Sequence, residues 1–231
     1  GMDLAGLDVR AKDIRPSTTG TTFRLVHHGN DLGDVTLQSS GRHNVMNALA
    51  AATLALDEGM SFQDVADAFK DFRGMKRRQE IRAVIGGVTI VDDFAHHPTA
   101  VRETLAAARD RWPGQRIIGV FEPRTNSSRR KAFESAYVDA FLGTDVVILS
   151  VPPFRHNDRA SDFMDVHVIT ESLGRDGVEA AALETVDEIV NRLADMARRG
   201  DVIVVMSNGG FGGLHDRLIA SLEVEESLQS P

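Results

Sequence analysis

At 231 residues, with 42% hydrophobic and 26% charged side chains, the chain has the length and balance of one large or two modest globular domains. Its 26 basic and 34 acidic residues leave a net charge of −8, which argues against a general nucleic-acid binder. Cysteine is absent, so disulfides and thiolate chemistry are excluded, and no apolar run approaches the roughly 20 residues that a membrane helix needs.

The start of the chain lacks the basic-then-apolar pattern of a secretory signal, so a cytoplasmic location with no membrane partner is expected. Gly1 ahead of Met2 reads as a scar of tag cleavage, and the chain as part of a longer polypeptide. Residues 1–20 are polar and end in Pro16-Ser17-Thr18-Thr19-Gly20, a turn-rich segment. Thr22–His27 and Asp34–Gln38 alternate as two strands, with His28-Gly29-Asn30-Asp31 opening the turn between them. A helix is expected from about His43 to Glu58, because Val45, Leu49, Ala52 and Leu56 recur at helical spacing and Gly59 suits its end. Ser61 with Asp64 resembles a capping box for a second helix carrying Phe62, Val65, Phe69 and Phe72.

Phe72-Arg73-Gly74-Met75-Lys76-Arg77-Arg78 breaks that pattern, and a domain boundary is placed there, dividing residues 1–74 from 75–231. Beyond it strands are expected at 81–84, 87–91, 116–121, 145–149, 166–169, 178–183 and 201–206. Helices are expected at 98–110, 131–141, 185–198 and 212–222, and the acidic tail after Leu222 is expected to fray. Strands separated by helices of this length imply a mostly parallel, doubly wound α/β sheet of Rossmann-like type. Thr185 with Glu188 forms a further capping box.

Polar motifs sit where such sheets bind ligands, between the carboxyl end of a strand and the start of a helix. Asp92-Asp93-Phe94-Ala95-His96-His97-Pro98 places four titratable groups there, more than capping requires. Phe121-Glu122-Pro123-Arg124-Thr125-Asn126-Ser127 and Met206-Ser207-Asn208-Gly209-Gly210-Phe211-Gly212-Gly213 occupy equivalent positions after two other strands. On the first helix, Asn44 and Asn47 are three residues apart and project from one side, where carboxamides can pair with a base edge. The bland alternative makes Asn44 a helix cap and Asn47 a solvated turn residue. Neither a G-x-x-x-x-G-K-[ST] phosphate loop nor a G-x-G-x-x-G fingerprint is present.

Taken together, Gly41-Arg42-His43-Asn44 with Asn47-Ala48, Phe72-Arg73-Gly74 with Arg77-Arg78-Gln79-Glu80, and the Asp-Asp-Phe-Ala-His-His-Pro segment resemble the Mur ligase family of ATP-dependent amide-forming enzymes, in order and in spacing from about residue 20 to 222. The resemblance implies the end of the central ATPase domain over 1–74 and the carboxyl-terminal Rossmann-like domain over 75–231. The UDP-sugar domain and the phosphate-loop part of the central domain are missing, so this chain alone is expected to be inactive. The 121–127 and 207–213 loops look most like family members that join UDP-N-acetylmuramate to the recycled tripeptide L-alanyl-γ-D-glutamyl-meso-diaminopimelate. Members that add L-alanine share the Asp-His-His-Pro segment but differ in the Glu-Pro-Arg loop.

Carried over residue by residue, the resemblance assigns His43, Asn44 and Asn47 to adenine, Arg78 to the γ-phosphate and Asp93 to the ribose hydroxyls, with His96 lining the same pocket. Arg124, Asn126, Ser127, Ser207 and Asn208 would hold the tripeptide carboxylates. Arg78, Asp93 and His96 form the implied catalytic set around one ATP. Mg²⁺ would bridge the phosphates on ligands from the missing part, and this chain is expected to supply no metal ligand. The implied reaction makes an acyl phosphate from the sugar carboxylate, from which the peptide amine displaces phosphate. On this reading Asp93→Ala removes turnover and leaves the fold intact. A non-catalytic nucleotide- or peptide-binding module on the ligase fold and a metal-dependent phosphoesterase built on His96 and His97 remain alternatives.

Overall fold

The structure, a computed structural model, describes residues 8–229 apart from 155, 157, 158 and 160. The first seven residues of the segment read as polar therefore lie outside the described residues. Two compact units divide the chain, one of residues 1–75 with 106–113 and the other of 76–105 with 114–231.

The first unit holds three strands, β1 (Val9–Ser17), β2 (Gly20–His27) and β3 (Asn30–Leu37), paired antiparallel in that order. Strand β1 is an element not expected in the polar segment, whose turn falls at Thr18 and Thr19. Only Val9 and Ala11 alternate into the core, and an edge strand tolerates the polar remainder and Pro16. The β2–β3 connection is a two-residue turn at His28 and Gly29 with φ of 47° and 81°, the primed geometry that matches strand twist. Helices α1 (Arg42–Asp57) and α2 (Phe62–Asp71) supply Val45, Leu49, Ala52 and Val65 to a core with Phe23, Leu25 and Val35. Ser61 caps α2 by accepting from Asp64 N.

The second unit is built on a six-stranded sheet: β4 (Glu80–Ile85), β5 (Val88–Asp93), β6 (Ile117–Phe121), β7 (Val146–Ser150), β8 (Glu179–Leu183) and β9 (Val202–Met206). Their order is β4-β5-β9-β6-β7-β8, and only the β4–β5 pair is antiparallel. The central strands are β-branched runs buried on both faces, as a parallel sheet between helices requires. One face, with Ile90, Ile118, Val120, Ile148, Ile203 and Val205, packs against Ile189 and Leu193 of α6 (Val186–Met196) and Leu214 and Leu218 of α7 (Leu214–Gln229). On the other, the Phe121 ring packs at a tilt against Tyr137 and Phe141 of α4 (Glu134–Phe141), and Gly119 leaves room for Leu105 of α3 (Pro98–Arg111). The fold is the expected α/β class.

Two expectations are corrected. Residues 166–169 are not a strand but the first turn of α5 (Val166–Arg175): Asp165 accepts from His167 N as N-cap, and Val166, Ile169 and Leu173 bury one helical stripe. The helix expected to end at Leu222 runs on to Gln229. The Thr185–Glu188 capping box forms with both reciprocal bonds.

Candidate functional site

Register brings three of the predicted motifs together. Asp93 pairs with Met206, and Met206 with Phe121, so the segments after β5, β9 and β6 leave adjacent strands at the same carboxyl edge. The ladder continues one step beyond the strands, with Ser207 N donating to Asp93 O at 3.0 Å and Glu122 N to Met206 O at 3.0 Å.

Asp93 is an internal anchor of this edge. Only 3% exposed, it accepts from Gln79 N at 2.9 Å, Ala95 N at 2.8 Å and the Thr104 hydroxyl at 3.1 Å. Burial pushes its carboxyl above the ordinary range, and the two backbone N–H donors oppose that shift. Its neighbour Asp92, 2% exposed, points the other way, as alternation along a strand dictates. Asp92 faces Arg77 Nε at 3.4 Å, Arg82 at 3.7 Å and His215 Nε2 at 3.4 Å. Both carboxylates are thus buried against protein partners.

Arg77 ties two motifs. One guanidinium nitrogen donates to the carbonyls of Ser207 at 2.6 Å and Gly209 at 2.7 Å, while its backbone accepts from Phe94 N at 2.8 Å. Arg78, the sequence-predicted phosphate ligand, is exposed. Its guanidinium lies 5.6 Å from the Phe94 ring centroid and donates no hydrogen bond to the described residues. A cation so placed fits a phosphate group. His96 is half-buried, with Nδ1 3.0 Å from Phe94 O, and its carbonyl accepts from the buried Tyr137 hydroxyl at 2.8 Å. His96 and His97 do not join Asp92 or Asp93 in a metal-binding group among the described residues, which removes the footing of the phosphoesterase reading.

The two proposed peptide loops touch. A methyl group on Gly209 would sit 1.8 Å from an Arg124 guanidinium nitrogen, so glycine is required for the arginine to lie over this backbone. Ser207 is wholly buried; its hydroxyl donates to Glu122 and accepts from Gly209 N at 2.9 Å. Ser207 therefore shapes the loop and does not face a ligand. Asn126 Oδ1 accepts from the buried Arg129 at 3.0 Å, and Ser127 is exposed beside the Thr125 hydroxyl at 3.1 Å. Asn208 differs: its Oδ1 is buried without a hydrogen-bond partner, an acceptor awaiting a donor.

In the first unit, α1 begins at Gly41, whose φ of 98° and contact with the His43 ring exclude a side chain. Asn44 does not cap this helix; its amide donates to Ser40 O at 2.7 Å. Asn47 is exposed one turn on, and His43 is half-buried.

Sequence reading missed Arg77, Glu122, Thr104 and His215 as organisers. Arg77 is indistinguishable from Arg78 until φ values of 58° at Arg77 and 52° at Gln79 turn the chain there. His215, on α7, is held below its ordinary pKa, chiefly by burial and against the pull of Asp92. A depressed folded pKa gives stability that is present above the unfolded value of 6.5 and lost as pH falls through the folded one. Acid melting of His215→Gln should therefore be flatter just below that value than melting of the wild type; parallel curves would remove His215 as the cause.

A doubly wound α/β domain with polar loops gathered at one strand edge defines the class of this unit. Residues 77–209 match the Mur ligase glutamate ligase domain, and the chain belongs to the Mur ligase family. UDP-N-acetylmuramate–L-alanine ligase of Desulforapulum autotrophicum is 32% identical over 219 residues, which cover 94% of this chain and 48% of that protein. Among solved structures, a murein peptide ligase from Psychrobacter arcticus aligns with a TM-score of 0.63 at 29% identity, over 94% of this chain and 45% of its own. The UDP-N-acetylmuramate–alanine ligase of Thermotoga maritima gives 0.80 at 20% identity, over 96% and 47%, a likeness of fold. The chain spans about half the length of the curated relatives it matches. Among the described residues no helix is long and apolar enough to cross a membrane.

Proposed function

We propose that this chain is the peptide-accepting half of an ATP-dependent amide ligase that joins UDP-N-acetylmuramate to L-alanyl-γ-D-glutamyl-meso-diaminopimelate in the cytoplasm. On this reading residues 1–74 are the end of the central ATPase domain and 75–231 the carboxyl-terminal domain. The observation that carries it is the junction of the two peptide loops. Arg124 lies over Gly209, and Asn208 beside it presents an unmatched buried acceptor. An exposed arginine fork suits the carboxylates of an acidic tripeptide, and the orphan carbonyl suits an amide or ammonium N–H. Arg78 stabilises charge on the phosphoryl group that becomes the acyl phosphate, and Asn47 with His43 and Asn44 reads the base. Asp93 sets the geometry of the edge that presents Arg78 and His96.

A second reading, addition of L-alanine, is favoured by the curated relatives, which carry that name at 27–33% identity. The Glu-Pro-Arg and Ser-Asn-Gly-Gly loops favour the tripeptide. The test is phosphate release by the complete ligase polypeptide supplied with ATP, UDP-N-acetylmuramate and either acceptor. Tripeptide should support turnover at concentrations where L-alanine does not, and Arg78→Ala should raise the KM for ATP at least tenfold. Preference for L-alanine would assign the chain to the other acceptor class; release with neither would leave the binding-module reading.

A further inference from the structure

At the far end of the first unit, away from its nucleotide-reading helix start, two imidazoles and a carboxylate meet. His27 closes strand β2, His28 is the first turn residue, and Asp57 is the last residue of α1. His27 Nε2 lies 3.0 Å from Asp57 Oδ1, and His28 Nε2 lies 3.7 Å from the same oxygen. The two ring centroids are 4.2 Å apart. One ligand atom from each of the three residues falls within 4.8 Å of the others, the one such group among the described residues. Ligands about 2.0–2.2 Å from a tetrahedral ion stand about 3.4 Å from one another, and the two measured separations bracket that value.

The surroundings of this group suit a cation. His28 opens the β2–β3 turn with a φ of 47°, in the left-handed region where His, like Asn and Asp, is enriched. Its backbone is fixed there by donation from His28 N to Asp8 O at 2.6 Å, and Asp8 Oδ1 stands 3.7 Å from His28 Nδ1, the nitrogen facing away from Asp57. A carboxylate on that side orients an imidazole that ligates through its other nitrogen. In addition, α1 ends with Asp57 and has no basic residue in its last turn, so a carboxylate sits at the negative end of the helix dipole. A divalent ion there offsets both charges.

We propose that His27 Nε2, His28 Nε2 and an Asp57 oxygen form a three-ligand site for a zinc-class transition metal, the fourth position open to water. Two nitrogen donors and one oxygen select zinc, nickel or copper over magnesium or calcium, which take oxygen shells. The ion joins the β2–β3 turn to the end of α1. It lies at the opposite end of α1 from the residues assigned to the base, so its effect is on the stability of the first unit.

The chain, freed of any polyhistidine tag and of chelator, is titrated calorimetrically with zinc. One equivalent should bind saturably and raise the melting temperature. His28→Ala and Asp57→Asn should each weaken binding at least tenfold, whereas His167→Ala, at an exposed histidine of α5, should not. Both site variants replace exposed side chains, and circular dichroism checks that they remain folded. Cobalt(II) in zinc's place should give the intense visible bands of four-coordination, which a weakly associated surface ion does not. Absence of saturable binding, or equal binding by the site variants, overturns the proposal.

Discussion

Asp93→Ala is expected to lower stability by about 2–4 kcal/mol, the cost of leaving two buried backbone N–H groups without acceptors. Those groups belong to Gln79, where the chain turns into β4, and Ala95, where it leaves β5. The Thr104 hydroxyl can rotate to another acceptor and adds little. Part of the loss is offset because the variant no longer buries a carboxylate whose pKa burial has raised. A raised folded pKa gives stability present below the unfolded value and lost as pH rises through the folded one. The wild type's margin over the variant should therefore narrow as pH rises. For a chain of this size the deficit corresponds to a fall of roughly 4–16 °C in melting temperature. Sequence reasoning expected this variant to stay folded and lose only a ribose contact; an unchanged melting temperature would restore that view. Asp93→Asn keeps one acceptor but turns an amide N–H toward another donor, so it should fall between the two.

That difference shows where the sequence was legible. The doubly wound class followed from β-branched runs spaced by amphipathic stretches, because burial on both faces imposes the composition of the strand itself. Positions of the motifs at one edge followed from the same logic, since parallel strands share the direction of their carboxyl ends. The misread helix at Val166–Arg175 carries a helical stripe of Val166, Ile169 and Leu173 that a window ending at 169 cannot contain. Strand β1 is written mostly in polar residues, and its pairing with β2 identifies it.

Within the site, residue type alone could not divide ligand-facing groups from supporting ones. Asp92, Asp93 and Ser207 are the polar residues a reader would assign to a ligand, yet all three are buried with internal partners. Arg78 and Asn208 keep donors or an acceptor on offer, and Arg124 is exposed. Adjacent residues on a strand face opposite ways, and a turn at Arg77–Gln79 reverses that rule locally. Only coordinates show which member of each pair points inward.

Arg77 is where this division has its largest functional consequence. One of its guanidinium nitrogens holds the carbonyls of Ser207 and Gly209, and therefore the backbone on which Arg124 rests. Its Nε also faces the buried Asp92, which His215 flanks at 3.4 Å and Arg82 at 3.7 Å. Arg77→Met removes both functions. With the side chain about one-third exposed, the loss is about 2–3 kcal/mol, below that of a fully buried pair. Arg77→Lys restores a positive charge near Asp92, but its single ammonium cannot at the same time reach the two carbonyls, which arginine holds with a different nitrogen. Lysine should therefore recover most of the stability while leaving the 207–209 loop loose. In the complete ligase, its KM for the acceptor peptide should rise by about tenfold, equivalent to about 1.4 kcal/mol, with KM for ATP and kcat little changed. Methionine should raise the same KM and also lower the melting temperature. Equal damage to both KM values in the lysine variant would place Arg77 in direct contact with nucleotide; no damage to either would mean that the loop keeps its shape without the fork.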